Sequence, residues 1–232
     1  MGFRRTGSLI AEFPPTSLFD TATSCNLSLT KSLTEGPCYF QVDNRVDISE
    51  QEKGLPMQLC LQVVNEDCQP LDGLEVEVWH CNTEGAYSGD TSASDDRRRF
   101  TSGFCTGNNV TAQQAKWFRG GQITDKDGRV NFQTCFPGWY SGRAIHIHFR
   151  VRNKNRDEIV SQFCFEDAFA EMVCTQLPDY KNRGAQNTPL SGGRDSVYRS
   201  NYQDFLFDLI KNSDGSLLAY KTIVIAHTLN AE

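Results

Sequence analysis

The run IHIHFRVR, from Ile145 to Arg152, alternates apolar and polar side chains without a break. A period of two is the pattern of a β-strand, whose successive side chains point to opposite faces. Ile145, Ile147, Phe149 and Val151 then share one face, and His146, His148, Arg150 and Arg152 share the other. Two of the chain's four histidines lie in this run. On a strand, side chains two apart stand about 7 Å apart along one face. Two imidazoles so placed can chelate one metal ion. A bare His-x-His also occurs as two surface or hydrogen-bonded histidines, so the pattern needs its surroundings to decide it.

The same alternation extends outward. Met57, Leu59, Leu61 and Val63 form one face of MQLCLQV (57–63). Leu74, Val76 and Val78 form one face of LEVEVWH (74–80), opposite Glu75 and Glu77. A Lys126-Asp127-Gly128 turn leads into Val130-Asn131-Phe132, with Asp125 and Asp127 as turn formers. IVSQFCF (159–165) and LLAYKTIVIA (217–226) add two further strands. Two helices are expected, over EDAFAEMVC (166–174) and SNYQDFLFDLIKN (200–212), with Phe205, Leu209 and Ile210 in the core. Ser88–Lys116 and Asp179–Arg199 read as long loops. Short strands between turn signals predict a mainly β fold, an antiparallel β-sandwich with few short helices. No repeat or linker divides it. Residues 25–232 read as one domain, and 1–24 as a disordered leader or an artificial extension.

Composition narrows the function. The 232 residues are 38% hydrophobic and 22% charged, with a net charge of −6. This suits a folded protein that engages neither nucleic acid nor membrane. The one basic run, Arg97-Arg98-Arg99, follows Asp95-Asp96 and reads as a neutralised surface loop. Nine cysteines without a CxxC pair argue for structural disulfides rather than a zinc ribbon. Three or four disulfides are expected, with at least one cysteine left over. N-x-S/T sequons at Asn26 and Asn109 are compatible with export, and the chain is read as secreted.

Two tyrosines complete the surroundings of the histidines. Tyr140 lies six residues before His146, across a Ser141-Gly142 turn, and Tyr87 follows LEVEVWH after Glu84-Gly85-Ala86. Two phenolates with two imidazoles suit a trivalent cation, whereas zinc more often takes Cys, His or carboxylate.

With these residues in place, the sequence resembles the intradiol ring-cleavage dioxygenases. The resemblance rests on LTEGPCYF (33–40), VEVWHCNTEGAYSG (76–89), RGGQITDKDGRVNFQTCFPGWYSGRAIHIHF (119–149) and SQFCF (161–165), in that order. It implies a non-haem Fe(III) enzyme, one iron per chain, that opens catecholic rings between the two hydroxyls with O2 to give cis,cis-muconate-type diacids. It implies iron ligation by Tyr87, Tyr140, His146 and His148, with Tyr140 and His146 axial and Tyr87 and His148 equatorial. Arg143 would lie against the substrate ring, Gln162 would partner it, and Tyr140 would take a substrate proton. Gly36 and Pro37 would line the pocket, and Tyr39 would edge it, although Cys38 interrupts that motif. The five residues between Tyr140 and His146 resemble the shorter, secreted, cysteine-bearing branch. They imply a monomer with an open pocket, able to take catechols larger than catechol itself.

His80, beside Trp79, is read as structural support rather than a fifth ligand, and His227 as a surface residue. Trp139 is either a pocket wall or packing. Two other functions remain open at this point: a secreted β-sandwich binding module with a decayed metal site, and a zinc hydrolase using the His-x-His pair.

Overall fold

The structure, a computed structural model, describes residues 14–19, 27–89, 103–154, 156–199 and 201–226. Cys25, the sequon at Asn26, Arg97–Arg99, His227 and most of the expected leader lie outside the described residues.

Eight strands form two four-stranded sheets. They are β1 (Pro56–Val64), β2 (Glu75–Trp79), β3 (Arg119–Ile123), β4 (Arg129–Cys135), β5 (His146–Asn153), β6 (Arg156–Cys164), β7 (Asp208–Lys211) and β8 (Leu217–Val224). One sheet runs β4-β1-β8-β7 and the other β3-β2-β5-β6. The expected sandwich is present. Its pairs are antiparallel except β1 with β8, which is parallel. The alternation read from the sequence sets the core. Met57, Leu59, Leu61, Val63, Val130 and Phe132 of one sheet meet Val76, Val78, Ile147, Phe149 and Val151 of the other, all buried.

Helix α1 (Val110–Gln114) is capped by Asn109, whose side-chain oxygen accepts from the Thr111 and Ala112 amides. Helix α2 (Asp167–Gln176) matches the expected one. The second expected helix is absent. Gln203–Phe205 is one 3-10 turn, and Asp208–Lys211 pairs with β8 as a strand. Phe205 is buried and Leu209 packs at the core margin, but Ile210 is 41% exposed. The free edge of β8 supplies four residues with ladder partners, and tertiary pairing overrides a weak helical propensity. Asp125 does build the β3–β4 turn, accepting from the Asp127 and Arg129 amides.

The cysteines correct a second expectation. Cys38 and Cys105 are joined, and Cys68 is also disulfide-bonded. Cys60, Cys81, Cys135, Cys164 and Cys174 are free and buried. Five free thiols out of nine cysteines leave room for at most two disulfides. These five behave as small apolar core residues.

The polar face of the β3-β2-β5-β6 sheet is also covered. His146, His148, Arg150 and Glu77 are each 5% exposed or less. The segments 33–40, 80–89, 138–145 and 179–199 lie over it, and the candidate site is built between them and the sheet.

Candidate metal centre

The sheet register aligns the first elements of the site. His148 of β5 stands opposite Trp79 of β2 and Gln162 of β6, so the three side chains share one face. Trp79 stacks on the His148 ring, 5.0 Å between centroids. His146, one pleat along, brings its Nε2 to 3.0 Å from Nε2 of His148.

The tyrosines arrive on two turns packed against each other. Asn82 holds the first turn, its side-chain oxygen accepting from the Glu84 and Ala86 amides. Gly85 approaches the second turn so closely that a Cβ there would collide with the Trp139 carbonyl oxygen. The Tyr87 amide then donates to the Cys105 carbonyl. The Cys38–Cys105 disulfide thereby links the Tyr87 wall to the loop bearing Gly36 and Pro37. Tyr87 and Tyr140 meet edge-on at 5.9 Å, and Tyr140 Oη lies 3.1 Å from His146 Nε2. All four expected ligands therefore converge.

The hydrogen bonds say what they converge on. His146 Nδ1 is 2.6 Å from the Ala144 carbonyl, which can only accept. That ring nitrogen therefore carries the proton and Nε2 offers a lone pair. The Tyr140 hydroxyl, an Arg143 amino group at 3.4 Å and His148 Nε2 all face this one lone pair. His148 Nδ1 is buried with no hydrogen-bond partner among the described residues, and the buried Tyr87 Oη has only the Tyr140 hydroxyl beside it. Too many polar atoms facing one acceptor, with another orphaned, is costly unless a cation organises them. The carbonyl-anchored imidazole is also the usual arrangement of a metal-binding histidine. Burial holds His146 and His148 well below the usual imidazole range, with Arg143 and His146 as the respective next contributors, so both are neutral donors. Burial pushes Tyr140 up to about 12 and Tyr87 well above the ordinary phenol value. Without a cation both phenols keep their protons. A trivalent ion would reverse that by direct coordination. The residues fit Fe(III). Among the described residues no group of three His, Cys, Asp or Glu is placed to hold a metal, so the zinc-hydrolase alternative finds no third donor of those kinds.

Around the four lie the expected pocket residues. Arg143 donates to Gln162 Oε1 at 2.5 Å, and Gln162 donates to the Thr34 carbonyl at 2.6 Å. This ties the Gly36-Pro37 loop to Arg143. Gly36 has φ +74°, and a Cβ there would lie 3.2 Å from His148 Cε1. Gly36→Ala is therefore expected to strain the loop, cost about 1 kcal/mol of stability and displace His148. A shifted visible band in the iron-loaded variant would report that displacement. Tyr39 packs edge-on against Trp79, in one cluster with Tyr87, and its hydroxyl is engaged by Glu77 and Arg152. Trp139 is packing: its indole donates to the Gly184 carbonyl, and Arg183 stacks on its ring.

His80 is structural, as expected. Its ring nitrogens contact the Cys81 carbonyl and Thr134 Oγ1, leaving no lone pair for a metal. Burial lowers it from 6.5 to about 4. The unfolded chain then binds the extra proton first, so the His80 contribution to stability is complete above pH 6.5 and is lost as pH falls toward 4. That contribution is on the order of 3 kcal/mol. Urea midpoints between about pH 4 and 7 should fall less steeply in His80→Gln than in the wild type.

Three residues of consequence escaped sequence reasoning. Arg119 is fully buried between Phe40 and Tyr87. Thr34 anchors Gln162 through its carbonyl. Asp195, in a segment read only as loop, accepts from Arg143.

Comparison with known proteins places the chain. A family model described as Dioxygenase matches residues 35–176, more than half of it. The chain belongs to the intradiol ring-cleavage dioxygenase family. It is 25% identical to catechol 1,2-dioxygenase 1 of Acinetobacter lwoffii, over 88% of this chain and 67% of that protein. It is 28% identical to a catechol 1,2-dioxygenase of Candida albicans, over 44% of this chain and 33% of that one. An intradiol ring-cleavage dioxygenase from Tetranychus urticae shares the fold with a TM-score of 0.72 at 24% identity, over 88% of this chain and 98% of that one. The 3-chlorocatechol 1,2-dioxygenase of Rhodococcus opacus 1CP gives 0.58 at 16% identity, over 91% and 77%. In this intradiol dioxygenase the matched span contains both tyrosines, both histidines, Arg143 and Gln162.

Proposed function

We propose that this dioxygenase opens a catecholic ring between its two hydroxyls, placing both atoms of O2 in a cis,cis-muconate-type diacid. One Fe(III) would be held by Tyr87, Tyr140, His146 and His148. The observation that carries this reading is the approach of the Tyr140 hydroxyl and His148 Nε2 to within 3.1 Å of His146 Nε2, with the buried Tyr87 ring edge-on to Tyr140. When bound, ferric iron supplies a Lewis acid that draws electron density from a chelated catecholate and makes the ring reactive toward O2.

The chain's own residues do the rest. The substrate must lose two protons, and the Tyr140 phenolate oxygen can accept one, since a free phenolate is a base with pKa near ~10. Arg143 stays cationic and aims its amino groups at the site, where they stabilise negative charge developing on the ring. Gln162 fixes one of those groups, and Gly36 lies against His148; Pro37, next to it in the chain, would line the pocket with it. We further propose export. The Cys38–Cys105 disulfide supports it. So does Asn109, which is exposed and caps α1 through its oxygen, leaving its amide nitrogen out of those bonds for a glycan.

The test is the visible spectrum of iron-loaded protein, before and after anaerobic addition of catechol. A red-brown tyrosinate charge-transfer band that shifts with catechol is expected. A protein that stays colourless with iron would overturn the reading.

A further inference from the structure

The long loop 179–199 turns out to be a template for the Tyr140–His146 segment. Thr188 Oγ1 accepts from the Gly142 amide, Gln186 Oε1 from the Ile145 amide, and the Gly184 carbonyl from the Trp139 indole. One residue in it makes a different kind of contact. The Asp195 side chain is fully buried. Its Oδ2 accepts from Arg143 Nε at 3.1 Å and from the Ala144 amide at 2.6 Å, while Oδ1 accepts from the Val197 and Tyr198 amides, both at 2.8 Å.

We propose that Asp195 is the positioning residue that aims the Arg143 guanidinium into the site. This rests on the functional reading above and adds a residue to it. A guanidinium is a rigid planar fork with a back edge at Nε and two amino groups in front. A carboxylate bound bidentately to the front would consume the donors that face the substrate. Asp195 instead takes the Nε–H. One amino group is left on Gln162 and the other facing His146 Nε2. Because Asp195 Oδ2 also holds the Ala144 amide, the guanidinium plane is referenced to the backbone two residues before His146. The Tyr198 ring, carried on the Asp195 turn, stacks against the guanidinium at 5.5 Å and closes its rotation. The carboxylate therefore fixes the position of the Arg143 charge relative to the ligands while touching neither ligand nor substrate.

A double-mutant cycle of Asp195→Asn and Arg143→Lys tests this. In Asp195→Asn the amide oxygen can keep the Val197 and Tyr198 amides, but its NH2 group then faces both the Arg143 Nε–H and the Ala144 amide as donor against donor. We expect iron content and resting band close to wild type, a lowered melting temperature because the Ala144 amide also loses its acceptor, KM changed little, and kcat lowered by about 100-fold, as a misplacement of ~1 Å can cost. In the Arg143→Lys background the same substitution should cost less than about 3-fold, because residues acting through one another are non-additive. Asp195→Glu, which keeps the charge but moves the carboxylate by one methylene, should also lower kcat. An equal loss in both backgrounds would overturn the proposal. So would a loss of iron that by itself accounts for the lost turnover in both Asp195 variants, which would make the carboxylate a loop staple alone. Wild-type iron-loaded protein that leaves catechol intact would overturn the functional reading itself, and the role of Asp195 with it.

Discussion

His148→Ala is expected to empty the centre of iron and leave the fold standing. The His148 ring makes no hydrogen bond that the folded protein needs. Its Nδ1 is orphaned, and its Nε2 points at the His146 Nε2, which the Tyr140 hydroxyl can satisfy alone. What the apoprotein loses is packing against Trp79, a cavity of about 1–3 kcal/mol. What the centre loses is one of two imidazole donors. Residues that merely orient a metal ligand already cost about 10–100-fold in affinity when removed, so loss of the ligand should exceed about 100-fold. Iron retained after gel filtration should fall below about a tenth of an equivalent, the red-brown band should vanish, and the apoprotein should still melt cooperatively. Full iron content and unchanged colour would show that His148 is an ordinary buried histidine.

The candidate centre was legible in the sequence because its expected donors sit on the most regular part of the chain. The alternation in β5 put His146 and His148 on one face, and the turns after β2 and β4 brought the tyrosines to the same end. What could not be read is everything that covers that face. Nothing local in 179–199 marks Asp195 as a partner of Arg143, because their 52-residue separation is a property of the fold. The Cys38–Cys105 link is likewise tertiary. Counting cysteines overestimated disulfides because a buried thiol and a half-cystine look alike in sequence. The run 200–212 misled for a related reason. Phe205, Leu209 and Ile210 fit a helical face, yet Leu209 and Ile210 lie in β7 beside an edge that β8 leaves open. The parallel pairing of β8 with β1 was equally invisible, since strand direction is set by the path of the chain rather than by its alternation.

Tyr140→Phe separates metal holding from proton handling. The phenyl ring keeps the edge-on contacts with Tyr87 and His146, so packing should hold. Only Oη is lost, and with it one hard anionic donor and one base. Tyr87, His146 and His148 remain, so part of the iron should stay bound. Colour per iron should weaken and move, because one of two tyrosinate bands is gone. Turnover per iron should drop by about 10²–10⁴-fold, the range for a positioned proton acceptor. Burial sharpens the contrast. With its phenol pushed up to about 12 in the metal-free protein, Tyr140 is a poor base until a cation has taken its proton's place. A Tyr140 phenolate released beside a catechol hydroxyl would then be a strong base, able to take the proton that the hydroxyl must lose. A variant that keeps both iron and wild-type kcat would remove Tyr140 from the chemistry. One that loses all iron would make it a ligand whose base function cannot be told from its holding function, and comparison with Tyr87→Phe would then decide which phenol the metal depends on.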